Sequence, residues 1–310
     1  MKRPLYNAVQ SLLHDPKHIL FAILSRMPWL ISNDVSYLRL LYWLNYNEKL
    51  NLKNPTKFSE KIQWLKLYNH NPLYTTLVDK LRVKEYVSHK IGAEFVIPAI
   101  ATWNSPKDIE WRILPEQFVL KTNHDSGGTG IVICKNKSSL SIGKALKVLN
   151  HSFRRNSYVI GREWPYKDVA KKVIAEQFLS DSHGELRDYK FFCFNGKVRC
   201  FKIDYNRQIY HQANYYDPSG QLLPYGEAAY PPNPDADIHI PENISTMIAL
   251  AENLSQGIPF VRVDLYNVDG KIYFGEFTFF PAGGMTKWVG DENVDALWGS
   301  WLELPNNFEK

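Results

Sequence analysis

The segment 260–284, FVRVDLYNVDGKIYFGEFTFFPAGG, constrains the rest of the chain most. Two runs rich in β-branched and aromatic residues, 261–266 and 271–279, flank Asn267-Val268-Asp269-Gly270. Asp-Gly between such runs is a strong short signal for a β-hairpin. Asp264 and Glu276 then lie on adjacent antiparallel strands. A two-residue turn at Asp269-Gly270 sends their side chains to opposite faces. A three-residue loop, Val268-Asp269-Gly270 with Gly270 left-handed, puts them on one face as diagonal neighbours. Two carboxylates on one face are costly without a cation between them. Their oxygens suit Mg²⁺, which takes one or two carboxylates plus substrate phosphates. Taken alone, the segment also fits an ordinary hairpin with two solvated acids.

Such a hairpin needs a body to sit in. The 310 residues, 45% hydrophobic and 14% aromatic, suffice for a substantial core in two or three subdomains. A net charge of +5 suits an anionic substrate such as a nucleotide or an acidic sugar. It is too small, without a long Lys/Arg run, to indicate nucleic acid. Cys134, Cys193 and Cys200 are odd in number and lack Cys-x-x-Cys spacing, which argues against a disulfide framework and a zinc site. They fit a reducing cytoplasm, with Cys193 and Cys200 as buried inert thiols. The apolar stretch 19–31 is too short to span a bilayer, is broken by Arg26 and Pro28, and lacks the marks of a signal peptide. It reads as a core or interdomain helix, with a surface-docking helix near Lys2, Arg3 and Lys17 as the alternative.

Residues 1–75 read as helical, with breaks at Asn54-Pro55-Thr56 and Asn71-Pro72. Trp29, Trp43 and Trp64 are expected to pack in the core, although they also suggest a docking surface. A helix over 76–90 carries Lys80 and Lys84 on one face, which by itself reads as solvated, and Gly92 ends it. Residues 95–98 read as a short strand. FVLK at 118–121 is a buried strand ending in a lysine, TNHDSGGTG follows, and 131–134 returns as a strand. Backbone N–H groups of that loop can approach phosphate oxygens, and Lys121 can add a point charge. It is neither a P-loop nor a Rossmann turn, since no helix follows. A plain glycine hairpin is the alternative. His124, Asp125 and Ser126 in one loop do not make a hydrolytic triad. Residues 173–175 lead as a strand into Glu176-Gln177-Phe178-Leu179. DYKFFCFN at 188–195 is a strand, and Asn195-Gly196 turns it into 197–203. Asp188 and Lys190 share a face that reads as solvated on its own. The segment 205–216, with His211, reads either as a sugar-binding stretch or as a surface loop. Residues 244–254 form a helix.

In this order the pieces resemble the ATP-grasp superfamily, an α+β fold in which two α+β subdomains grip ATP. In detail they are similar to its TupA-like branch, associated with teichuronopeptide and other bacterial surface-polysaccharide synthesis. The resemblance is carried by NPTKFSEK at 54–61, DKLRVK at 79–84, the 124–130 loop, 188–196 and 262–284. It implies an N-terminal helical extension (1–75), a pre-ATP-grasp subdomain (76–118), a lid subdomain (119–180) and a C-terminal subdomain with the metal-binding hairpin (181–310). It implies that Lys84 and Lys121 contact ATP phosphates, under a loop containing Ser126, Gly127, Gly128 and Thr129. Glu176, Gln177, Phe178 and Leu179 would hold adenine, mainly through backbone groups. Asp188 would reach the ribose and Lys190 a phosphate. Asp264 and Glu276 would hold Mg²⁺, which favours the three-residue loop, and Arg262 would stand by the transferred phosphoryl group as a catalytic residue. Thr278 replaces the Asn that many members carry two residues after the metal Glu; its hydroxyl can still ligate Mg²⁺ or hold its water.

The implied reaction is ATP- and Mg²⁺-dependent ligation of a carboxylate to an amine through an acyl phosphate. The partners implied are an acidic sugar or polysaccharide intermediate and an amino acid or amine, met in the cytoplasm or at the inner face of the membrane beside the polysaccharide machinery. A sugar or polysaccharide kinase on the same scaffold, and a non-catalytic or glycosyltransferase-associated docking protein, are the alternatives.

Overall fold

The computed structural model describes residues 20, 24, 27–125, 128–182, 186–206 and 210–305. The expectations for Ser126, Gly127 and most of the 19–31 stretch lie outside the described residues. Among the described residues, no helix is long and apolar enough to cross a membrane.

The body is an antiparallel sheet in the order β9-β8-β5-β6-β7, made of β5 (Asp188–Phe194), β6 (Lys197–Tyr205), β7 (Gln212–Tyr216), β8 (Phe260–Val268) and β9 (Lys271–Thr278). Both hairpins turn where the sequence places them. Asn195 and Gly196 (φ 49° and 78°) and Asp269 and Gly270 (φ 49° and 89°) all adopt positive φ, the geometry that matches the strand twist. One face of the sheet is mainly apolar, with Asn214 and Asn267 as buried polar members. Phe191, Cys193, Val263 and Leu265 lie on it, and the helix Ile244–Leu254 covers them with Met247 and Ala251, all fully buried. Burial pushes the Cys193 thiol up to about 12, so it stays protonated and inert.

The other face changes character halfway. Near Phe192 and Phe194 it is aromatic and sealed by Phe58, Phe260 and Trp298, whose rings meet at centroid distances of 4.8–5.8 Å. Near Asp188 and Lys190 it is charged. The aromatic half is held by two helices, Phe58–Tyr68 and Val294–Trp301. The 54–61 motif docks them. Glu60 accepts from the Thr56 and Lys57 backbone N–H groups at 2.9 and 3.1 Å, Ser59 donates to Asp295 at 2.5 Å, and Lys61 donates to the Leu302 carbonyl at 2.6 Å. Gly299 permits the approach, since a Cβ there would lie 2.0 Å from the Thr56 carbonyl oxygen.

A second antiparallel sheet, in the order β1-β4-β2-β3, comprises β1 (Ala99–Trp103), β2 (Phe118–Thr122), β3 (Ile131–Cys134) and β4 (Val173–Gln177). It has its own core of Trp103, Leu114, Phe118, Leu120, Leu149 and Val173, with Leu149 contributed by the covering helix Ile142–Arg154. The division expected at 118/119 therefore falls inside one sheet.

Other local expectations need correction. The 76–90 helix is two, Leu73–Val78 and Val83–Ile91. Asp79 breaks it by accepting from the Leu81 and Arg82 N–H groups at 2.9 and 3.3 Å, a side-chain competition with the helix that Asp favours. Residues 95–98 make a single bridge, Val96 to Phe274, and the strand begins at Ala99. Trp29 and Trp43 are 64% and 39% exposed, not core. The helix Asp34–Tyr46 buries Tyr37, Leu38, Leu41 and Tyr42, which leaves Trp43 on its outer face. Trp64 packs half-buried against the main core.

Candidate functional site

The hairpin closes through a two-residue turn, with Val268 paired to Lys271, rather than the expected three-residue loop. Asp264 and Glu276 nevertheless share a face, because Gly275 is an extra residue in the ladder. Pairing passes from Phe274–Leu265 to Glu276–Asp264, so the two carboxylates stand directly opposite each other. Glycine suits the bulge: a Cβ there would lie 3.0 Å from the Asp264 carbonyl oxygen and 3.1 Å from the Tyr266 ring. Gly275→Val is expected to destabilise the fold by about 1–3 kcal/mol through overpacking, read as a lower urea midpoint.

From this pair a row of side chains crosses the whole sheet. Successive strand partners are Glu276, Asp264, Lys190, Lys202 and Tyr215. The row beside it contains Tyr266, Asp188, Asp204 and Ala213. Asp188 and Lys190 are buried, so the solvated reading of that pair is corrected. Like charges face each other across the strands in both rows, and each is offset diagonally. Lys190 Nζ lies 2.7 Å from Asp204 Oδ2 and 3.8 Å from Asp264 Oδ2, and it also contacts Asp188. Lys202 Nζ lies 2.9 Å from Glu227 Oε1 and 3.8 Å from Asp204 Oδ1. Burial opposes the Lys190 charge, but Asp188, Asp264 and Asp204 outweigh it and raise its pKa.

Arg262 grips Asp264 with both arms, Nε to Oδ1 and Nη2 to Oδ2 at 2.6 Å each. Nη2 also donates to Thr278 Oγ1 at 3.0 Å and stands 3.6 Å from Glu276 Oε1. Burial works to raise the Glu276 pKa, yet Lys80 and Arg262 prevail and hold it at about 2. For Asp264 burial prevails over Arg262 and Lys190, and its carboxyl is pushed up to about 6. Asp264, Glu276 and Thr278 offer hard oxygen donors only. Among the described residues, no three His, Cys, Asp or Glu side chains are grouped to hold a metal alone. A cation here would complete its shell with phosphate and water, which fits Mg²⁺.

A second charged knot lies in the smaller sheet. Lys84 and Lys121 converge on Glu176, each 2.6 Å from one carboxylate oxygen, and Lys84 also donates to the Ile97 carbonyl at 2.7 Å. Glu176 is buried, and although burial opposes its charge, Lys121 and Lys84 hold its carboxyl below the ordinary range. Lys80, one turn earlier, points elsewhere. Its Nζ donates to the Asp125 carbonyl at 2.7 Å and lies 3.2 Å from Glu276 Oε2, tying the glycine loop to the acidic hairpin. Neither Lys80 nor Lys84 lies on a solvated face. Gln177 is exposed at the end of β4, with Phe178 and Leu179 half-buried beyond it.

In the loop, Gly128 and Thr129 are exposed while Asp125 is buried. The Asp125 carboxylate accepts from Ser152 Oγ at 2.7 Å and from the Thr129 hydroxyl. His124 is buried edge-on against Phe153. Burial lowers its pKa to about 4.

Between the sheets lies a cleft of about 590 Å³, within the range of small-molecule sites. Lys80, Asp125 and Gly128 line one wall, and Asp188, Lys190, Arg262, Asp264, Glu276 and Thr278 the other. Lys202, Asp204, His211, Glu227 and Tyr230 extend it beyond the Asp264–Glu276 pair. Lys84, Lys121 and Glu176 are not among its lining residues. Sequence reasoning missed Lys202, Asp204 and Glu227. The available signal was Lys202-x-Asp204, the same period-two spacing as Asp188-x-Lys190 on the partner strand.

Two sheets facing a charged cleft, with an acidic hairpin on one side and a glycine loop on the other, define an ATP-grasp protein. A model of the TupA-like ATP-grasp family matches residues 60–302, and the chain belongs to that family. No curated protein matches it. Among solved structures it is similar to a D-alanine–D-alanine ligase from Bacillus anthracis, at 15% identity and TM-score 0.38 over 66% of this chain and 57% of that one. It is also similar to N5-carboxyaminoimidazole synthetase from Staphylococcus aureus complexed with ADP (15%, TM-score 0.43, 74% and 53%). A D-alanine–D-alanine ligase from Helicobacter pylori overlaps at 11% identity and TM-score 0.43, over 80% and 70%. The chain thus spans little more than half the length of the first two, and the family match identifies the fold.

Proposed function

We propose that the chain is an ATP- and Mg²⁺-dependent carboxylate–amine ligase that joins an amino acid or amine to a uronic acid of a bacterial surface polysaccharide. The observation that carries it is the directly opposed Asp264–Glu276 pair, with Arg262, Lys80 and Lys190 beside it in one cleft. In this reading Asp264, Glu276 and Thr278 hold Mg²⁺, which neutralises phosphate charge when bound. Lys84 and Lys121 exchange Glu176 for ATP phosphates beneath the 122–130 loop. Residues 176–179 carry the adenine, Asp188 the ribose, and Lys190 a phosphate.

The chemistry needs positioning and charge more than covalent help. A substrate carboxylate and the γ-phosphate are both anions, and Lys80, Lys190, Lys202 and Arg262 line the space where they would meet. Arg262 stabilises charge on the transferred phosphoryl group and on the acyl phosphate. The amine then displaces phosphate and leaves an amide.

Incubation with ATP, Mg²⁺ and a panel of uronic acids and amino acids is expected to release ADP and phosphate and to form a product with the mass of the amide. AMP with pyrophosphate, or no nucleotide binding, contradicts the proposal. Phosphate retained on the sugar identifies a kinase instead.

A further inference from the structure

We propose that the exposed face of the helix Ile142–Arg154 is a docking surface for an acidic polysaccharide, so that the carboxylate to be joined arrives as part of a polymer rather than as a free sugar; this rests on the ligase reading above. The sequence signal is a gap in negative charge. The chain carries 32 Asp and Glu in 310 residues, yet none falls between Gly128 and Arg162, where seven Lys and Arg stand. That segment alone is more positive than the whole chain at +5.

The fold turns this excess into a stripe. Lys144, Lys147, His151 and Arg154 are all exposed. Their three- and four-residue spacing places them on one side of the helix, with about 5–6 Å between neighbours. From Lys144 to Arg154 the row runs about 15 Å. Like charges at this spacing repel, and Lys144 stands in the first turn, where the helix dipole disfavours a cation. The stripe therefore does not serve the stability of the helix. The opposite side is taken: Ala145, Leu149 and Ser152 are buried there, and Leu149 belongs to the core of the smaller sheet. With its apolar side already packed, the helix has only charge to offer a bilayer. A polymer with a carboxylate on successive sugars is itself a row of repeated charges, and it complements the stripe along its length.

The stripe leads to the cleft. Ser152, near the C-terminal end of the helix, donates to the Asp125 carboxylate at 2.7 Å and is hydrogen-bonded to Thr122 Oγ1 at 2.6 Å. Thr122 and Asp125 both line the cleft. Arg155 Nε lies 3.5 Å from Asp125 Oδ1, and Lys171 donates to the Phe153 and Arg155 carbonyls at 2.7 and 2.9 Å. Positive charge thus continues from Arg154 to the loop that borders the cleft, and an acidic chain laid along the helix reaches the rim.

The test measures binding of fluorescently labelled oligogalacturonate, a linear polyuronate, to the full chain. Combining Lys144→Glu, Lys147→Glu and Arg154→Glu is expected to weaken the complex by about tenfold or more, with ATP binding and thermal midpoint unchanged. Combining Lys49→Glu, Lys53→Glu and Lys90→Glu makes the same change in net charge at other exposed sites, and is expected to leave the affinity close to wild type. Added salt weakens the wild-type complex. Equal losses in the two triple variants, or no loss in the first, overturn the docking surface. So does a wild-type protein that binds phosphatidylserine vesicles but not the oligomer. Release of ADP with the panel of uronic acids and amino acids reads the ligase step separately: its absence overturns the ligase reading, whereas full turnover with unchanged oligomer affinity in the stripe variant overturns the docking surface alone.

Discussion

Glu276→Gln is expected to lower Mg²⁺- and ATP-dependent turnover by about 10²–10³-fold, while the protein stays folded. The substitution keeps the shape of the side chain and removes one of two opposed carboxylates from the bulged hairpin. A bound metal supplies several kcal/mol of charge stabilisation in phosphoryl transfer, and each 1.36 kcal/mol is tenfold in rate, so losing half of its protein anchor is costly. Lys80 retains its bond to the Asp125 carbonyl, and Arg262 retains Asp264, so the two cations that face Glu276 keep partners. Raising the Mg²⁺ concentration is expected to recover part of the rate. Turnover indistinguishable from wild type at all Mg²⁺ concentrations would remove the hairpin from the mechanism and favour a docking role.

Glu176→Gln is expected to act first on stability. Glu176 is 4% exposed at its side chain and neutralises Lys84 and Lys121, themselves 16% and 13% exposed. Removing one member of a buried ion pair strands the partner charge and typically costs about 3–5 kcal/mol. A lower urea midpoint with an unchanged slope is the readout. ATP sharpens the test. If its phosphates take the place of the carboxylate, the ligand restores the missing negative charge, and ATP stabilises the variant more than it stabilises the wild type. Equal stabilisation of the two proteins would separate this lysine pair from the phosphates.

Much of the frame is legible in the residues alone, because the signals are local. Asn195-Gly196 and Asp269-Gly270 demand positive φ and turn the chain where they stand. The helix Ile244–Leu254 begins and ends as its apolar spacing requires. The hairpin illustrates the limit. The turn chemistry favours two residues, a shared carboxylate face favours three, and the structure reconciles them through a bulge at Gly275. A lone glycine in a strand gives only a faint sign of that. Asp79 likewise ends a helix that periodicity carries through, since a side chain competing for backbone N–H groups leaves no periodic trace. Tertiary reach is the least legible. Lys80 and Lys84 are one helical turn apart in sequence, yet one meets Glu276 and the other Glu176. Lys202, Asp204 and Glu227 join the site only because β6, β7 and the short strand Gly226–Glu227 meet beside it.

The central claim is that a carboxylate is activated by ATP as an acyl phosphate before an amine attacks it. Oxygen-18 in the carboxylate of the acid tests this directly, with the released phosphate analysed by mass. The account predicts one labelled oxygen in inorganic phosphate for each amide formed, because the attacking carboxylate oxygen leaves with the phosphoryl group. Phosphate free of label, with the isotope retained in the product, would contradict it.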